Sequence, residues 1–347
     1  MKKIRVLVVD DSALARKLIT AALEEAADIE VAGCASDGYA AGTQAAALRP
    51  DVMTLDIGMP GMDGITFLRK LRGEAWVPAL VISSMTGAGC NTALEALRAG
   101  AAEVIAKPVD KQGFLDFRAL LPGKVRAAAA CRRSPVDRTR ESSRVALRIR
   151  TPDLIAVGSS TGGTEAVERI LREAPEDCPA IVIAQHIPAK FSFMFAERLQ
   201  QVCRVRVKEA ETGDAVRPGL ALIAPGDQHM IVQKRPGGLE IGVHQGPRVG
   251  FQRPSVNLLF DSVAALVGNR ALGILLTGMG SDGASGMLKM KQGGAVTLAQ
   301  DEATCAVFGM PREAIRLGAV DHVLSIGQIA SAVSRLHAPS PHASRNG

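Results

Sequence analysis

Ser160 stands between Gly158 and Gly162 in the pattern G-x-S-x-G, directly after the apolar run 154–157 and ahead of the helical stretch T-E-A-V-E-R-I-L. A strand that turns sharply into a helix lifts such a hydroxyl off the sheet. It also leaves free helix N–H groups beside it, where a developing oxyanion is held. That is the chemistry of acyl transfer by a serine nucleophile. A phosphate cradle and a plain tight turn are the competing readings, although neither G-x-G-x-x-G nor a Lys after the glycines is present. A nucleophilic serine needs a base, and the base needs a group to orient it. Of the six histidines, His186 directly follows an apolar run, 180–184, in Q-H-I-P, which puts it at the same sheet rim as Ser160. The acid has six candidates: Asp214, Asp227, Asp261, Asp282, Asp301 and Asp321. Asp282 is favoured because T-G-M-G-S-D-G-A follows the run 271–276 at that rim, with a helix cap as its alternative role. The order Ser, His, Asp differs from the Ser, Asp, His order of the α/β-hydrolases.

A second set of groups lies near the start of the chain. Asp10 and Asp11 follow the apolar run Ile4–Val9, Asp56 follows Val52–Leu55, Ser83 ends the run 79–82, and Lys107 ends 104–106 before Pro108. Ligands of open α/β sheets sit beyond the carboxyl ends of the strands, so these groups should meet there. Crowded carboxylates call for a hard cation, and Mg²⁺ suits them. A hydroxyl and an ammonium at the same rim can bind the oxygens of a phosphoryl group on Asp56. Any one carboxylate at a strand end is more simply a helix cap, but five such groups at one rim make a site.

Both sets need sheets to position them. In 347 residues, 47% hydrophobic and 22% charged, there is room for two domains with full cores. Apolar runs alternate with helical patterns upstream of residue 123 and again from 154, which predicts two parallel-sheet α/β domains. The runs 220–223, 230–233 and 239–243, separated by P-G-D-Q and R-P-G-G, predict short antiparallel strands. Residues 123–150 carry nine Lys and Arg against Asp137 and Glu141, a net +7 that exceeds the +6 of the whole chain. This segment reads as a basic linker, and a nucleic-acid-reading face on either domain is disfavoured. The start is too short and too acidic for a signal peptide, and no apolar run would span a bilayer. Six scattered cysteines without a C-x-x-C pair argue against zinc and disulfides, so a cytoplasmic protein with reduced thiols is expected.

The motifs D-D, D-I-G-M-P-G-M-D-G, S-S and K-P make the front of the chain similar to a response-regulator receiver domain. The motifs V-G-S-S-T-G-G-T-E-A, Q-H-I-P, F-A-E-R-L, R-P-S-V, L-T-G-M-G-S-D-G-A and A-Q-D-E-A-T-C-A-V-F-G-M-P make the remainder resemble the chemotaxis protein-glutamate methylesterases. The resemblance implies a flavodoxin-like receiver at 1–122, a basic linker at 123–151, an α/β esterase domain with a short antiparallel hairpin insertion at 152–337, and a disordered tail at 338–347. It implies Asp56 as phosphoryl acceptor, Asp10, Asp11, Asp56 and the Gly58 carbonyl as Mg²⁺ ligands, and Ser83 and Lys107 as phosphoryl sensors. It implies Ser160 as nucleophile, His186 as base and then acid, Asp282 as the orienting carboxylate, and backbone N–H groups of Thr161 and Met279 as the oxyanion hole, with no cofactor in the esterase site. The partners it implies are methyl-accepting chemoreceptors and a sensor histidine kinase as phosphoryl donor. No nucleic acid or membrane insertion is expected, and the chain is expected to be a monomer. The implied function is phosphorylation-controlled ester hydrolysis, with glutamine deamidation alongside. The alternative is a response regulator whose second domain only binds.

Three positions depart from the family pattern. Gly58 stands where Glu or Asn is common, Val104 where receivers usually carry Tyr or Phe, and Asn257 where Asp is usual. An inward-swinging aromatic is therefore not the relay here. Cys305 is a rival nucleophile on paper, but a buried structural thiol is the expectation. In P-A-K-F-S-F-M-F-A-E-R-L, Phe191, Phe195 and Leu199 share a helix face that belongs to the core. Phe193 points away and is free to touch a receptor.

Overall fold

Residues 2–74, 76–83, 92, 95–131, 149–189 and 191–338 are described by this computed structural model. The chain divides into two units, residues 1–133 and 134–347. In the first unit, β1 (Ile4–Val9), β2 (Ile29–Ala35), β3 (Val52–Leu55), β4 (Ala79–Ser83) and β5 (Glu103–Ala106) form a parallel sheet in the order β2-β1-β3-β4-β5. Helices α1 (Ala13–Glu24), α2 (Gly38–Leu48), α3 (Gly64–Glu74) and α4 (Lys111–Ala129) alternate with the strands. Strands β3 and β4 are buried at every residue, as expected for a parallel sheet covered on both faces. Val6, Val8, Leu23, Leu80, Phe117, Leu121 and Val125 form the core between the sheet, α1 and α4.

The basic segment does not begin as a linker. Helix α4 runs through Pro122 to Ala129, with Val125, Ala127 and Ala128 buried. Two of its cations have fixed partners: Arg126 donates from Nε and Nη2 to the Asp28 carboxylate, both at 2.7 Å, and Lys124 pairs with Glu103. The Arg126 fork holds the Asp28 carboxyl down at about 2. Residues 132–148 of the predicted linker lie outside the described residues.

The second unit has β6 (Leu154–Ser159), β7 (Ala180–Gln185), β8 (Arg206–Glu209), β9 (Leu220–Ile223), β12 (Ala271–Leu275), β13 (Val296–Gln300) and β14 (His322–Leu324) in one parallel sheet, ordered β14-β13-β12-β6-β7-β9-β8. Apart from it, β10 (His229–Arg235) and β11 (Gly238–His244) make an antiparallel hairpin. The sequence expectation for 220–223 is thereby corrected. This run is no hairpin strand but pairs in parallel with β7 and β8. All four of its residues are buried, whereas β10 and β11 carry a half-exposed face. Helices α5 (Gly163–Glu173), α6 (Phe191–Val202), α7 (Val256–Leu266), α8 (Ala284–Gln292), α9 (Met310–Arg316) and α10 (Ile326–Val333) cover the sheet. His337 and Ala338, placed by the sequence in or beside a free tail, are held by Asp177: Nδ1 of His337 lies 2.8 Å from its carboxylate, and the Ala338 N–H donates to its carbonyl at 2.8 Å. The remainder of the predicted tail, 339–347, lies outside the described residues. No described helix is long and apolar enough to cross a membrane.

Candidate active site

Strands β12, β6 and β7 are neighbours, and their carboxyl ends bring Asp282, Ser160 and His186 to one rim. Ser160 and His186 are each the first residue past strands whose last residues, Ser159 and Gln185, are in register. The join is fastened by hydrogen bonds. The His186 N–H donates to the Ser159 carbonyl at 3.0 Å, and the Gln185 amide donates to the carbonyls of Ser160 and His186 at 2.9 and 3.1 Å. Beyond Ser160 the chain turns through Gly162 at φ 76°, a left-handed position where a side chain would also strike Ala306. Helix α5 then begins at Gly163.

His186 is buried, and its ring is used from one side only. Nε2 lies 2.8 Å from Oδ2 of Asp282, while Nδ1 is buried with no hydrogen-bond partner among the described residues. With the ring proton on Nε2 facing the carboxylate, Nδ1 carries a lone pair able to take a proton. The familiar serine-hydrolase triad turns the ring the other way, with Nδ1 toward the acid.

Asp282 is clamped by the start of helix α7. Oδ1 accepts from the Ser255 hydroxyl and the Asn257 N–H, each at 3.0 Å, and Oδ2 accepts from the Val256 N–H at 2.8 Å as well as from His186. Ser255 is the N-cap of that helix, so the carboxylate sits where the helix dipole favours negative charge. Burial opposes its ionisation. The His186 bond and the two backbone N–H groups outweigh burial and hold its pKa below the ordinary carboxylate value.

Two residues around this carboxylate carry roles that sequence reading missed. The Asn257 side-chain oxygen accepts from the Ser285 hydroxyl and the Gly286 N–H, both at 2.8 Å, and so ties α7 to the start of α8 just past Asp282. His229, buried at the start of β10, accepts the Ser255 N–H on Nδ1 at 3.1 Å and donates from Nε2 to the Pro247 carbonyl at 2.9 Å. Burial lowers its pKa, which keeps Nδ1 an acceptor. In the sequence Asn257 stood out only as a departure from the family's usual Asp, and nothing pointed to His229.

The loop after β12 reaches the serine from the other side. Gly278 packs so closely on Ser160 that an added Cβ would lie 2.7 Å from the serine Cβ, and the Ser160 N–H donates to the Thr277 carbonyl at 3.0 Å. Thr277 Oγ1 in turn donates to the Thr161 carbonyl at 3.0 Å and accepts the Val307 N–H at 2.9 Å. Thr161 and Met279 thus flank Ser160 along the chain and across the loop. Cys305 is buried, its pKa pushed up by burial, and its sulfur faces the Gln300 carbonyl at 3.8 Å. Such a thiol is no nucleophile. On α6, Phe191, Phe195 and Leu199 are core residues and Phe193 is exposed, as its helical position predicts.

The acidic set of the first unit also converges. Carboxylate oxygens of Asp10, Asp11 and Asp56 lie within 4.8 Å of one another. Oδ1 of Asp10 accepts the Ser12 N–H and Oδ1 of Asp56 accepts the Ile57 N–H, both at 2.9 Å, leaving the Oδ2 atoms to Lys107 at 2.8 and 3.0 Å. Burial works against the Lys107 charge, but the two carboxylates prevail and raise its pKa. Ser83 is buried at the end of β4, where its carbonyl accepts the Lys107 N–H at 2.8 Å. Gly58 is exposed beside Asp56, and Val104 is buried in β5. Three hard oxygen donors, two buried and one exposed, fit a cation that keeps part of its water, as Mg²⁺ does.

Comparison with known proteins agrees with this division. Residues 155–333 match the CheB methylesterase family, and residues 6–117 match the response regulator receiver domain. A protein-glutamate methylesterase/protein-glutamine glutaminase of Syntrophus aciditrophicus is 46% identical over 97% of this chain and 100% of its own length. The enzyme of that name from Escherichia coli K12 is 45% identical over 95% of this chain and 96% of its own. Among solved structures, the Thermotoga maritima CheB methylesterase catalytic domain superposes with a TM-score of 0.52 at 34% identity, covering 54% of this chain and all of that one. The chain therefore belongs to the CheB methylesterase family, with a response-regulator receiver domain at its front.

Proposed function

We propose that Ser160, His186 and Asp282 hydrolyse the γ-methyl esters of modified glutamates on chemoreceptors, releasing methanol, under phosphorylation control from the receiver. Ser160 Oγ attacks the ester carbonyl while His186 Nδ1 takes its proton. The carbonyl oxygen becomes an oxyanion held by the N–H groups of Thr161 and Met279. His186 then returns the proton to the departing methoxide, and water, activated by the same nitrogen, releases the glutamate and restores the serine. A glutamine side chain leaves ammonia by the same acyl-enzyme route, in keeping with the glutaminase half of the relatives' name. The observation that carries this reading is the His186 ring, bonded to a clamped carboxylate on one nitrogen and left a lone pair on the other at the strand end beside Ser160. Methanol release from methylated receptor membranes, with Ser160→Ala as control, tests it.

Asp56 is the phosphoryl acceptor in this reading, with a sensor histidine kinase as donor and Ser83 and Lys107 as the groups that meet the phosphoryl oxygens. Asp10, Asp11, Asp56 and the Gly58 carbonyl would hold Mg²⁺, which when bound offsets the crowded negative charge and lets a phosphoryl group approach. Lys107 already offsets part of that charge from its place between Asp10 and Asp56. The receiver then extends through helix α4 to Ala129, beyond residue 122. The five described cysteines are free thiols, which supports a cytoplasmic setting. Asp56→Asn should abolish the rise in methanol release on adding a phosphoryl donor, a rise of about 5- to 150-fold if the coupling is of ordinary size, and leave the unstimulated rate in place.

His229 supplies a further check on the clamp. His229→Leu strands the Ser255 N–H and the Pro247 carbonyl, a loss of about 1–3 kcal/mol, and loosens the helix end that holds Asp282. The expected result is a Tm lower by roughly 2–9 °C and a kcat lower by about tenfold with KM unchanged. His229→Asn, whose side-chain oxygen can still accept the Ser255 N–H, should recover most of the kcat.

A further inference from the structure

Among the described residues, Phe251 is the only apolar side chain on a left-handed backbone. Val249 and Gln252 exchange both backbone hydrogen bonds, N to O at 3.0 and 2.9 Å, around a two-residue loop of Gly250 and Phe251. Both loop residues are left-handed, at φ 55° and 66°. That conformation suits a tight hairpin loop, and Gly, Asn or Asp are the residues that adopt it readily. A bulky aromatic there is strained, and Phe251 gains no burial in return, being 69% exposed.

The loop is held out stiffly. Asp227 accepts from Arg248 at 2.8 Å and from Arg253 at 2.9 and 3.1 Å, and Arg253 also donates to the Gly246 carbonyl at 2.8 Å. Two guanidinium groups on one carboxylate leave the hairpin with net positive charge. Its base runs directly into Ser255, the residue whose hydroxyl holds Asp282. On the other side, the Asp227 N–H donates to the Arg253 carbonyl at 3.1 Å, and the adjoining Gly226 N–H donates to the Ser192 hydroxyl at 2.8 Å. Phe193, 53% exposed, follows Ser192. A single loop therefore ties two exposed aromatics to the rim that carries the triad.

We infer that Phe251 is a docking contact for the receptor helix that carries the esterified glutamate, with Phe193 as a second contact. Strain kept at an exposed position beside a reaction centre is a mark of function, and exposed aromatics on rigid supports are the usual anchors of protein recognition. The net positive hairpin suits a helix on which neighbouring glutamates are unesterified. This inference rests on the esterase reading above and adds to it how a protein substrate is told from a small ester.

The test compares two substrates across three proteins. Methylated receptor membranes and the γ-methyl ester of N-acetylglutamate amide are each hydrolysed by wild type, Phe251→Gly and Phe251→Tyr. Phe251→Gly relieves the left-handed strain, so its Tm should rise by roughly 2–4 °C. Its ratio of receptor to small-ester kcat/KM should fall about 10- to 30-fold, through KM. Phe251→Tyr, which keeps the ring, should restore the ratio to within about twofold. An unchanged ratio in Phe251→Gly would overturn the docking role while leaving the esterase intact. A wild type that hydrolyses neither substrate would instead defeat the esterase reading, and this inference with it.

Discussion

Methanol release by Ser160→Ala should fall by about 10⁶-fold in kcat, the size of loss seen when a serine hydrolase loses its nucleophile. The side chain removed is small and the site is well supported without it. Ser160 is held by its backbone: its N–H is on Thr277, and its carbonyl accepts from Gln185 and Gly163. None of these bonds involves the hydroxyl, so the variant should fold and keep its Tm. Cys305 offers no bypass, since its thiol is buried and its pKa raised. A residual rate within about 100-fold of wild type would mean that another group attacks the ester, and a binding-only output domain would show no Ser160-dependent rate at all. The measurement is methanol released per enzyme per second from methylated receptor membranes.

How legible these residues were depends on the distance over which their partners act. Strand ends were readable because parallel strands covered on both faces appear as largely apolar runs, and Asp10, Asp56, Ser160 and His186 each come directly after a strand. The same feature misled at Leu220–Ile223. Four apolar residues between turn signals look alike in a hairpin and in a central strand, and only pairing with β7 and β8 tells them apart. Helix α2 is hard to read from sequence, because G-Y-A-A-G-T-Q-A-A-A-L has too little contrast between its faces to show a period.

The end of α4 was read as linker for a related reason. Its Ala-rich, basic sequence becomes a packed helix through Asp28, 98 residues away, and Glu103, 21 residues away, and neither pairing leaves a local trace. Asp282 shows both limits in one residue. Its rim position picked it from six candidates, but the clamp that makes it useful comes from Ser255, Val256 and Asn257, at least 25 positions earlier. A helix N-cap ordinarily serves its own helix. Here Ser255 accepts from its own Leu258 N–H and also donates to the acid of another loop.

That clamp makes Asp282→Asn more damaging than the loss of one charge. The carboxylate accepts four hydrogen bonds, two of them from backbone N–H groups that cannot reverse direction. An amide has one oxygen and one NH₂ group. If the NH₂ faces His186, it also meets the Val256 N–H, and it can bond the ring only by donating to Nε2. The imidazole proton then moves to Nδ1, and the nitrogen needed as base is lost. If the NH₂ faces the other way, the ring keeps its tautomer but the Asn257 N–H is left without an acceptor, which costs about 1–3 kcal/mol. Either orientation also removes the charge that stabilises the imidazolium formed during attack. Together these losses should lower kcat by about 10⁴-fold, with KM for the receptor little changed. On the acid side, the stability difference between the two proteins should follow the Asp282 carboxyl. Because the folded-state pKa of Asp282 is depressed, the wild-type advantage is fully present above the unfolded-state carboxylate value near 3.8 and is lost as the pH falls through the lower folded value. Urea midpoints for wild type and Asp282→Asn should therefore converge as the pH falls below the unfolded-state carboxylate value near 3.8. A gap that widened as the pH fell below that value would mean the carboxyl is held in its protonated form, and the triad would lack its anion.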